Sequence, residues 1–399
     1  MSNYDVLLTY GWVRSTYVTS RSLASIGLKV CIADEVKVGM CQWSNKSIFV
    51  GIYRSPYTDP DGFIEDLLNI VEQTKVTFLL PSHDETEVIA KHCHLFPDDL
   101  ILPITDYTSI NRANDKNEML SLAQKIQVPC PETLEWDSLK ELQRKLDNTD
   151  WAEYVIKLRK GNSSKGVFYV NSKHKALEKT AYLCEKYHLL KDRLPIIQNK
   201  IDGDGWGVSC LYWQGERVAF FTHKRIKEKV ATGGTSTLRV SKRNPVLEEI
   251  AFKMLDELNW HGLAMVEFKY NEQTNNAWFI EINPRLWGSI HLAISSGVDF
   301  PALLYTAATK GIEEARELSK TQTEEIIARW YMGDMIIAAT QLISLQPIKS
   351  LKSLLPGNCD TYDDIHKDDL GAFAGEFAGY LSNFIKSKSI NPEKEGMLG

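Results

Sequence analysis

The sequence predicts a mixed α/β and α+β protein: a parallel-sheet domain first, an antiparallel-sheet region next, and a mostly helical end. Three observations predict it. The first hundred or so residues alternate short apolar strands with helices. From about residue 111 strands follow one another across turns. The last seventy residues look helical, with Phe373, Phe377 and Phe384 at near-helical spacing. Alternation of strand and helix marks a parallel sheet, whereas strands in succession mark an antiparallel one. A chain of 399 residues exceeds one small core, so two or three domains are expected.

In chain order, "DVLLTY" is a buried strand and "STYVTSRSLASIG" a helix closed by Gly27. "LKVCIAD" is the next strand. "DGFIEDLLNIVEQTK" is an amphipathic helix, "VTFLLP" a strand, "DETEVIAKHCHLF" a helix and "LILPI" a further short strand. In such sheets a ligand crevice lies at the carboxyl ends of the strands. The loop after the first strand, "TYGWVRST", has one glycine and no GxGxxG, so a dinucleotide fingerprint is absent. "NDKNEMLSLAQKIQ" is a helix halted by the prolines of "VPCPET". "EYVIKLRKGNSSKGVFYV" reads as strand, loop, strand, and "LPIIQNKIDGDGWGVSCLYWQGERVAFFTHKRI" as strands with turns. "NPVLEEIAFKMLDELN" is a long amphipathic helix. The spacing of the three late phenylalanines predicts packing on the body of the protein or on a second subunit, so a homodimer is one expected assembly.

Composition narrows the function classes. Hydrophobic residues make up 43% and charged residues 25%, ordinary values for a globular protein. A net charge of −6 favours no nucleic-acid partner, so an anionic ligand must be met by local basic residues. The cysteines at 31, 41, 93, 130, 184, 210 and 359 are scattered, odd in number and without a CxxC, which suits a reducing, cytoplasmic setting. His92, Cys93 and His94 are adjacent and point apart on a helix, so they make no ligand set. The start shows no signal-peptide pattern, and no apolar run is long enough to span a membrane.

The segments "LAMVEFKY" and "FIEINPRLWGSI" carry the clearest chemical signal. Both begin strand-like and are joined by the polar "NEQTNNA". Alternation puts Ile280 and Ile282 on one face, with Glu281 and Asn283 on the other. Folding the chain back on Thr274 sets Glu267 opposite Glu281. Like charges directly opposite destabilise a sheet. A hard divalent cation such as Mg2+ between them removes the conflict, and two carboxylates with an amide oxygen suit it. A solvated acidic hairpin is the other reading.

Two further segments are basic and glycine-containing. "KLRKGNSSKGV" combines Lys157, Arg159, Lys160 and Lys165 with Gly161, Ser163, Ser164 and Gly166. Its backbone N–H groups can approach phosphates, although it is no Walker A loop and leads into a strand. "HKRIKEKVATGGTSTLRV" places Gly233, Gly234, Ser236 and Thr237 after a row of cations, a loop able to wrap an anion. Each also reads as a solvated turn.

These segments, with "LLPSHDET" and "IIQNKIDGDGWGVS", occur in the order seen in the ATP-grasp superfamily. Over roughly residues 1–310 the chain resembles its carboxylate–amine ligase branch, with a carbamoyl-phosphate-synthase-like core. The resemblance implies a pre-ATP-grasp domain over 1–110 and an ATP-grasp domain over 111–310. The latter divides into a lid or central subdomain (111–196) and a catalytic subdomain (197–310), with a helical extension over 311–399. It implies ATP and Mg2+ (or Mn2+) as cofactors. Lys116, Lys157 and the loop from Gly161 to Gly166, with Ser163 and Ser164, would meet ATP phosphates. "QNKI", with Gln198, Lys200 and Ile201, matches the adenine hinge, and Asp204 is the nearest acid for the ribose. Glu267, Glu281 and Asn283 match the metal ligands. Arg225 and Arg285 would lie against the transferred phosphate and the substrate carboxylate. The Gly233, Gly234, Ser236 and Thr237 loop would serve substrate binding.

The implied reaction activates a carboxylate as an acyl phosphate, which an amine then attacks. Anions meet anions, so cationic clamps matter more than a side-chain nucleophile. The expected partners are a small carboxylate and a small amine, with neither nucleic acid nor membrane. Alternatives on the same fold are a phosphotransferase, a carboxylating enzyme or a nucleotide-binding protein without catalysis. Biotin-dependent carboxylation is disfavoured because no biotinyl-type segment accompanies the core.

Overall fold

The computed structural model describes residues 4–161, 166–228, 235–355 and 357–387, apart from the side chains of Asp192, Lys386 and Ser387. Its first sheet holds β1 (Val6–Leu8), β2 (Val30–Asp34), β3 (Ile48–Ile52) and β4 (Phe78–Leu80). All are parallel, in the order β3-β2-β1-β4. Alternate residues serve two cores. Val6, Leu8 and Ile32 pack with Trp287, Ile290 and Phe300 from late in the chain, whereas Leu7, Cys31 and Leu79 pack with Phe63 and Leu67 of helix Pro60–Thr74. The first set therefore joins this sheet to the rest of the molecule.

Two expectations change here. Among the described residues "LILPI" makes one bridge, Phe78 to Ile101, because Pro103 lacks the N–H that would extend the ladder. Strand β3 follows only a one-turn helix, Met40–Trp43, so the strand–helix rhythm conceals it. It is also an edge strand whose Ile48 and Ile52 are exposed, so it lacks the apolar run of a central parallel strand. The strand order reverses between β1 and β4. The loops following these two strands, Thr9–Val13 and Pro81–Asp84, thus flank the crevice such sheets form.

The second sheet is antiparallel, with β5 (Thr133–Leu134), β6 (Tyr154–Lys157), β7 (Val167–Val170) and β8 (Ile196–Asn199) in the order β5-β8-β6-β7. Helices Leu139–Asp147 and Lys173–Lys186 cover it through Leu142, Leu146, Ala176 and Leu183.

The third sheet has seven strands: β9 (Asp204–Trp213), β10 (Glu216–Glu228), β11 (Ser236–Ser241), β12 (Gly262–Asn271), β13 (Asn276–Asn283), β14 (Ile327–Arg329) and β15 (Thr361–Tyr362). The order is β13-β12-β9-β10-β11-β14-β15. The end of the chain is therefore not helical alone, since it extends this sheet by two short strands. Helix Pro245–Glu257 packs on one face through Leu247, Ala251 and Met254. Among the three late phenylalanines, Phe373 packs on the body, while Phe377 and Phe384 stay exposed. Among the described residues no helix is long and apolar enough to cross a membrane, and all seven cysteines are free thiols.

The β12–β13 hairpin sets Glu267 directly opposite Glu281, as expected, but by a different route. The turn closes between Asn271 and Asn276, and a bulge after Glu267 brings Phe268 opposite Phe279. Ile280 is the extra residue. The pair that shares the core face is therefore Phe279 and Ile282, not Ile280 and Ile282.

Candidate functional site

The carboxylate pair belongs to a row that crosses the large sheet. Glu281 faces Glu267, Glu267 faces Gly207, and Gly207 faces His223. Residues directly opposite share one face of a sheet. A Cβ at Gly207 would lie 2.5 Å from the His223 ring, so glycine is what lets the imidazole lie across the strand. Arg225 follows His223 by two residues, on the same face, and its Nη2 lies 2.7 Å from Glu267 Oε1. Asn283 Nδ2 donates to the same oxygen at 3.0 Å.

Lys116 reaches Glu281 from another element. Asp115 caps helix Lys116–Lys125 by accepting from Asn117 N and Glu118 N, and is paired with Arg159 at 2.6 Å. This fixes Lys116 at the first helical position, where its Nζ lies 3.2 Å from Glu281 Oε2 and donates to Gly161 O at 3.0 Å. Lys157 ends β6 and is buried. Arg285 spends its planar fork on three acceptors: Asp84 Oδ1 at 3.0 Å, Leu286 O at 3.1 Å and Asn283 Oδ1 at 3.3 Å. Asp84, Lys116, Lys160, Glu281, Asn283 and Arg285 line one open cleft.

The charges are unevenly shared. Burial disfavours the Glu281 carboxylate, but Lys116 and Lys157 outweigh it and hold its pKa below the ordinary value. Burial pushes Glu267 up, and Glu281 opposite adds to this despite Arg225. Burial lowers Lys157 to about 8, helped by Lys116. Burial, then Arg225 and Arg239, keeps His223 neutral. Two facing carboxylates and an amide oxygen, one carboxyl raised by the other, form a hard oxygen donor set that fits Mg2+. Among the described residues there is no cluster of three or more His, Cys, Asp and Glu placed to hold a metal, so the amide is needed to complete this set.

The structure thus gathers Lys116, Lys157, Gly161, Arg225, Glu267, Glu281, Asn283 and Arg285 around one face. Others lie apart. Gln198 is buried and donates to Thr133 Oγ1 at 2.9 Å. The Lys200 N–H is taken by Glu153 O at 3.1 Å, and its ammonium pairs with the Glu153 carboxylate, so only its carbonyl remains for a base edge. Asp204 is exposed and pairs with Lys224 at 2.7 Å. Gly166 has φ +69° and its carbonyl accepts from Leu158 N at 3.0 Å. Ser236 Oγ donates within its own strand region, to Lys227 O or Leu238 O, each at 2.9 Å, and Thr237 is fully buried. Ser163, Ser164, Gly233 and Gly234 lie outside the described residues.

Sequence reasoning passed over Asp84 and Glu87, although both stand in "SHDETE". Asp84 holds Arg285, while Glu87 binds Lys160 Nζ at 2.9 Å and Asn114 Nδ2 at 2.6 Å. A polar run directly after an apolar strand, at the carboxyl end of a parallel sheet, was the available signal.

A family model described as ATP-grasp in the biosynthetic pathway with Ter operon matches residues 192–330. That span covers β8 to β14 and so contains the Glu267–Glu281 hairpin and Arg285. Over that span the chain is similar to an ATP-grasp family. Several solved structures share its architecture at low identity. An L-amino acid ligase from Bacillus licheniformis is 14% identical at a TM-score of 0.61, over 81% of this chain and 78% of that one. The biotin carboxylase domain of the Hydrogenobacter thermophilus 2-oxoglutarate carboxylase, solved with MgADP and bicarbonate, is 13% identical at 0.65, over 81% and 74%. N5-carboxyaminoimidazole ribonucleotide synthetase from Thermus thermophilus is 16% identical at 0.60, over 81% of each chain. These three likenesses show the fold. No curated protein sequence matches the chain.

Proposed function

We propose that the protein is an ATP- and Mg2+-dependent ligase that joins a carboxylate to an amine through an acyl phosphate. The observation that carries this is the Glu267–Glu281 pair, set face to face and ringed by Lys116, Lys157, Arg225 and Arg285. The superfamily match and the ligase among its structural neighbours support the same reading. Glu267, Glu281 and Asn283 would hold the metal, which when bound neutralises phosphate charge. Lys116 and Lys157 bind the phosphates beside them. Ile201, whose N–H has no partner among the described residues, and the Lys200 carbonyl would meet the adenine edge. On this reading residues 1–110, 111–310 and 311–399 are the pre-ATP-grasp, ATP-grasp and C-terminal parts.

In the first step a carboxylate oxygen forms a bond to the γ-phosphorus and the bond to ADP breaks. Arg285 binds the carboxylate or the transferred phosphoryl oxygens with the fork that Asp84 orients. In the second step the neutral amine bonds to the acyl carbon. Phosphate leaves with the bonding electrons, and the amine proton is released. Arg225 stabilises the phosphoryl charge in both steps. ADP release measured with pooled acids and amines tests the reading. The expected result is release that depends on an acid. Release driven by bicarbonate alone would favour carboxylation, and a stable phosphorylated product would favour a phosphotransferase.

Lys157 gives the site a pH dependence. It is protonated below about pH 8 and loses its charge above it. Burying its charged form costs stability below that pH, and the cost is relieved as pH rises toward 10.5, where the unfolded chain also loses the proton. Phosphate binding has the opposite dependence, because it favours the ammonium. Affinity for a non-hydrolysable ATP analogue is therefore expected to fall as pH rises above about 8, approaching tenfold per pH unit. Calorimetry across pH 7 to 10 checks this, and a flat affinity would place Lys157 away from the phosphates.

The same analogue is expected to slow tryptic cleavage after Lys165, within the loop the sequence assigns to phosphate. Lys160 is already tied to Glu87 at 2.9 Å and Asn111 at 2.6 Å, so its protection should change less. Equal cleavage at Lys165 with and without nucleotide would count against a phosphate lid.

A further inference from the structure

Near the end of the chain, helix Tyr331–Ile343 and helix Pro347–Leu354 form a hairpin, and its second helix is built inside out. Ser350 and Ser353 face inward and are buried. Ser350 Oγ donates to Ala338 O at 2.8 Å, and Ser353 Oγ to Gln341 Oε1 at 2.9 Å. The outward side is aliphatic. Ile348 and Leu351, three positions apart and so on one side of the helix, are 72% and 65% exposed, and Leu355 at the C-cap is 55% exposed. A helix that met only water on that side would carry its polar residues there.

The tip continues the pattern. Every residue from 342 to 349 is exposed, Leu342, Ile343 and Leu345 among them. Leu345 is 88% exposed and has φ +57°, a left-handed conformation that costs a leucine and that glycine or asparagine adopts more easily. At that exposure it gains little packing within the chain in return. The hairpin is nonetheless fixed at its base. Arg329 donates to Ser353 O and Leu355 O, each at 2.9 Å, and binds Asp334 at 2.6 Å. Asp334 also pairs with Lys227 of β10 at 2.8 Å.

Charge indicates what meets this tip. Residues 335–359 contain Lys349 and Lys352 and neither Asp nor Glu, in a chain whose net charge is −6. Both lysines are exposed beside the aliphatic side chains, and neither has an ion pair among the described residues. An apolar tip flanked by unpaired lysines matches an anionic lipid surface. The aliphatic groups enter the acyl boundary, and the lysine stems lie along them with their ammonium groups among the headgroups. A second copy fits less well. A stable interface engages about 20 to 30 residues on each side. A two-fold contact through this narrow tip would engage far fewer and would set like charges together.

We propose that the hairpin docks the protein on anionic membranes. Leu342, Ile343, Leu345, Ile348 and Leu351 enter the interface, and Lys349 and Lys352 meet the headgroups. The sequence predicts no membrane partner because no segment can span a bilayer. An interfacial helix lies in the plane of the surface and needs no such length.

Co-sedimentation of the full-length protein with vesicles tests this. One set is phosphatidylcholine alone, and the other is phosphatidylcholine mixed equally with phosphatidylglycerol. Binding to the mixed vesicles is expected to be at least about fivefold tighter than to the neutral ones, and to weaken with salt. Leu345→Glu and Leu351→Glu each put a charge into the apolar tip and should lower affinity for mixed vesicles at least about tenfold. Lys349→Gln together with Lys352→Gln should remove most of the preference for anionic vesicles, at about fivefold per lysine. These side chains are exposed, so melting temperature and ATP-analogue binding should stay as in the wild type. If a glutamate variant fails to fold, the lysine pair carries the test. No vesicle binding, equal binding to both compositions, or binding that survives the glutamate substitutions overturns the proposal. A wild-type dimer that those substitutions convert to monomer also overturns it, by assigning the tip to a second copy.

Discussion

Glu281→Gln is expected to lower ATP-dependent turnover by roughly a thousandfold, about 4 kcal/mol of transition-state stabilisation. The amide keeps the shape of the side chain but removes the charge that a metal between Glu267 and Glu281 requires. Repulsion between facing carboxylates predicts, from sequence alone, unchanged or higher stability of the metal-free variant. The structure reverses that expectation. Glu281 is paired with Lys116 at 3.2 Å and is held ionised by Lys116 and Lys157 together. Its loss relieves Glu267 but leaves two buried lysines without their counter-ion. The metal-free protein should therefore be less stable, by roughly 1 to 2 kcal/mol, below the about 3 to 5 kcal/mol of a fully buried pair because the Glu281 side chain is 23% exposed, and it should melt at a lower temperature. Activity near wild type in this variant would remove the metal assignment.

Arg285→Lys should reduce turnover at least tenfold, about 1.4 kcal/mol or more, with little change in ATP affinity. The substitution keeps the charge and loses the fork. In the structure that fork donates in three directions, to Asp84, Leu286 O and Asn283. A single ammonium cannot hold that geometry while also meeting a substrate oxygen. Steady-state kinetics at saturating ATP separate the two effects. Lost nucleotide binding with normal turnover would place Arg285 in the ATP site.

Much of this was legible before the structure. The parallel sheet showed in its apolar runs, and Glu267 and Glu281 were correctly set opposite. That success depended on a compensation, because the bulge at Ile280 offset a turn assigned slightly out of place. Edge strand β3 was hidden because its exposed isoleucines and short preceding helix break the expected rhythm. Strands β14 and β15 have three and two residues, too few to show a period in sequence, and are formed only because β11 offers an edge. In the site, residue types that carry charge in loops were found readily. Asp84 was missed because its importance lies in an ion pair with Arg285, 201 positions away.

The proposed acyl phosphate is tested most directly by replacing the amine with hydroxylamine. Wild-type protein with ATP, Mg2+ and each member of an acid panel is expected to yield a hydroxamate with at least one acid, in step with ADP release, and Glu281→Gln is expected to yield none. ADP release that depends on an acid yet gives no hydroxamate would contradict ligation through an acyl phosphate.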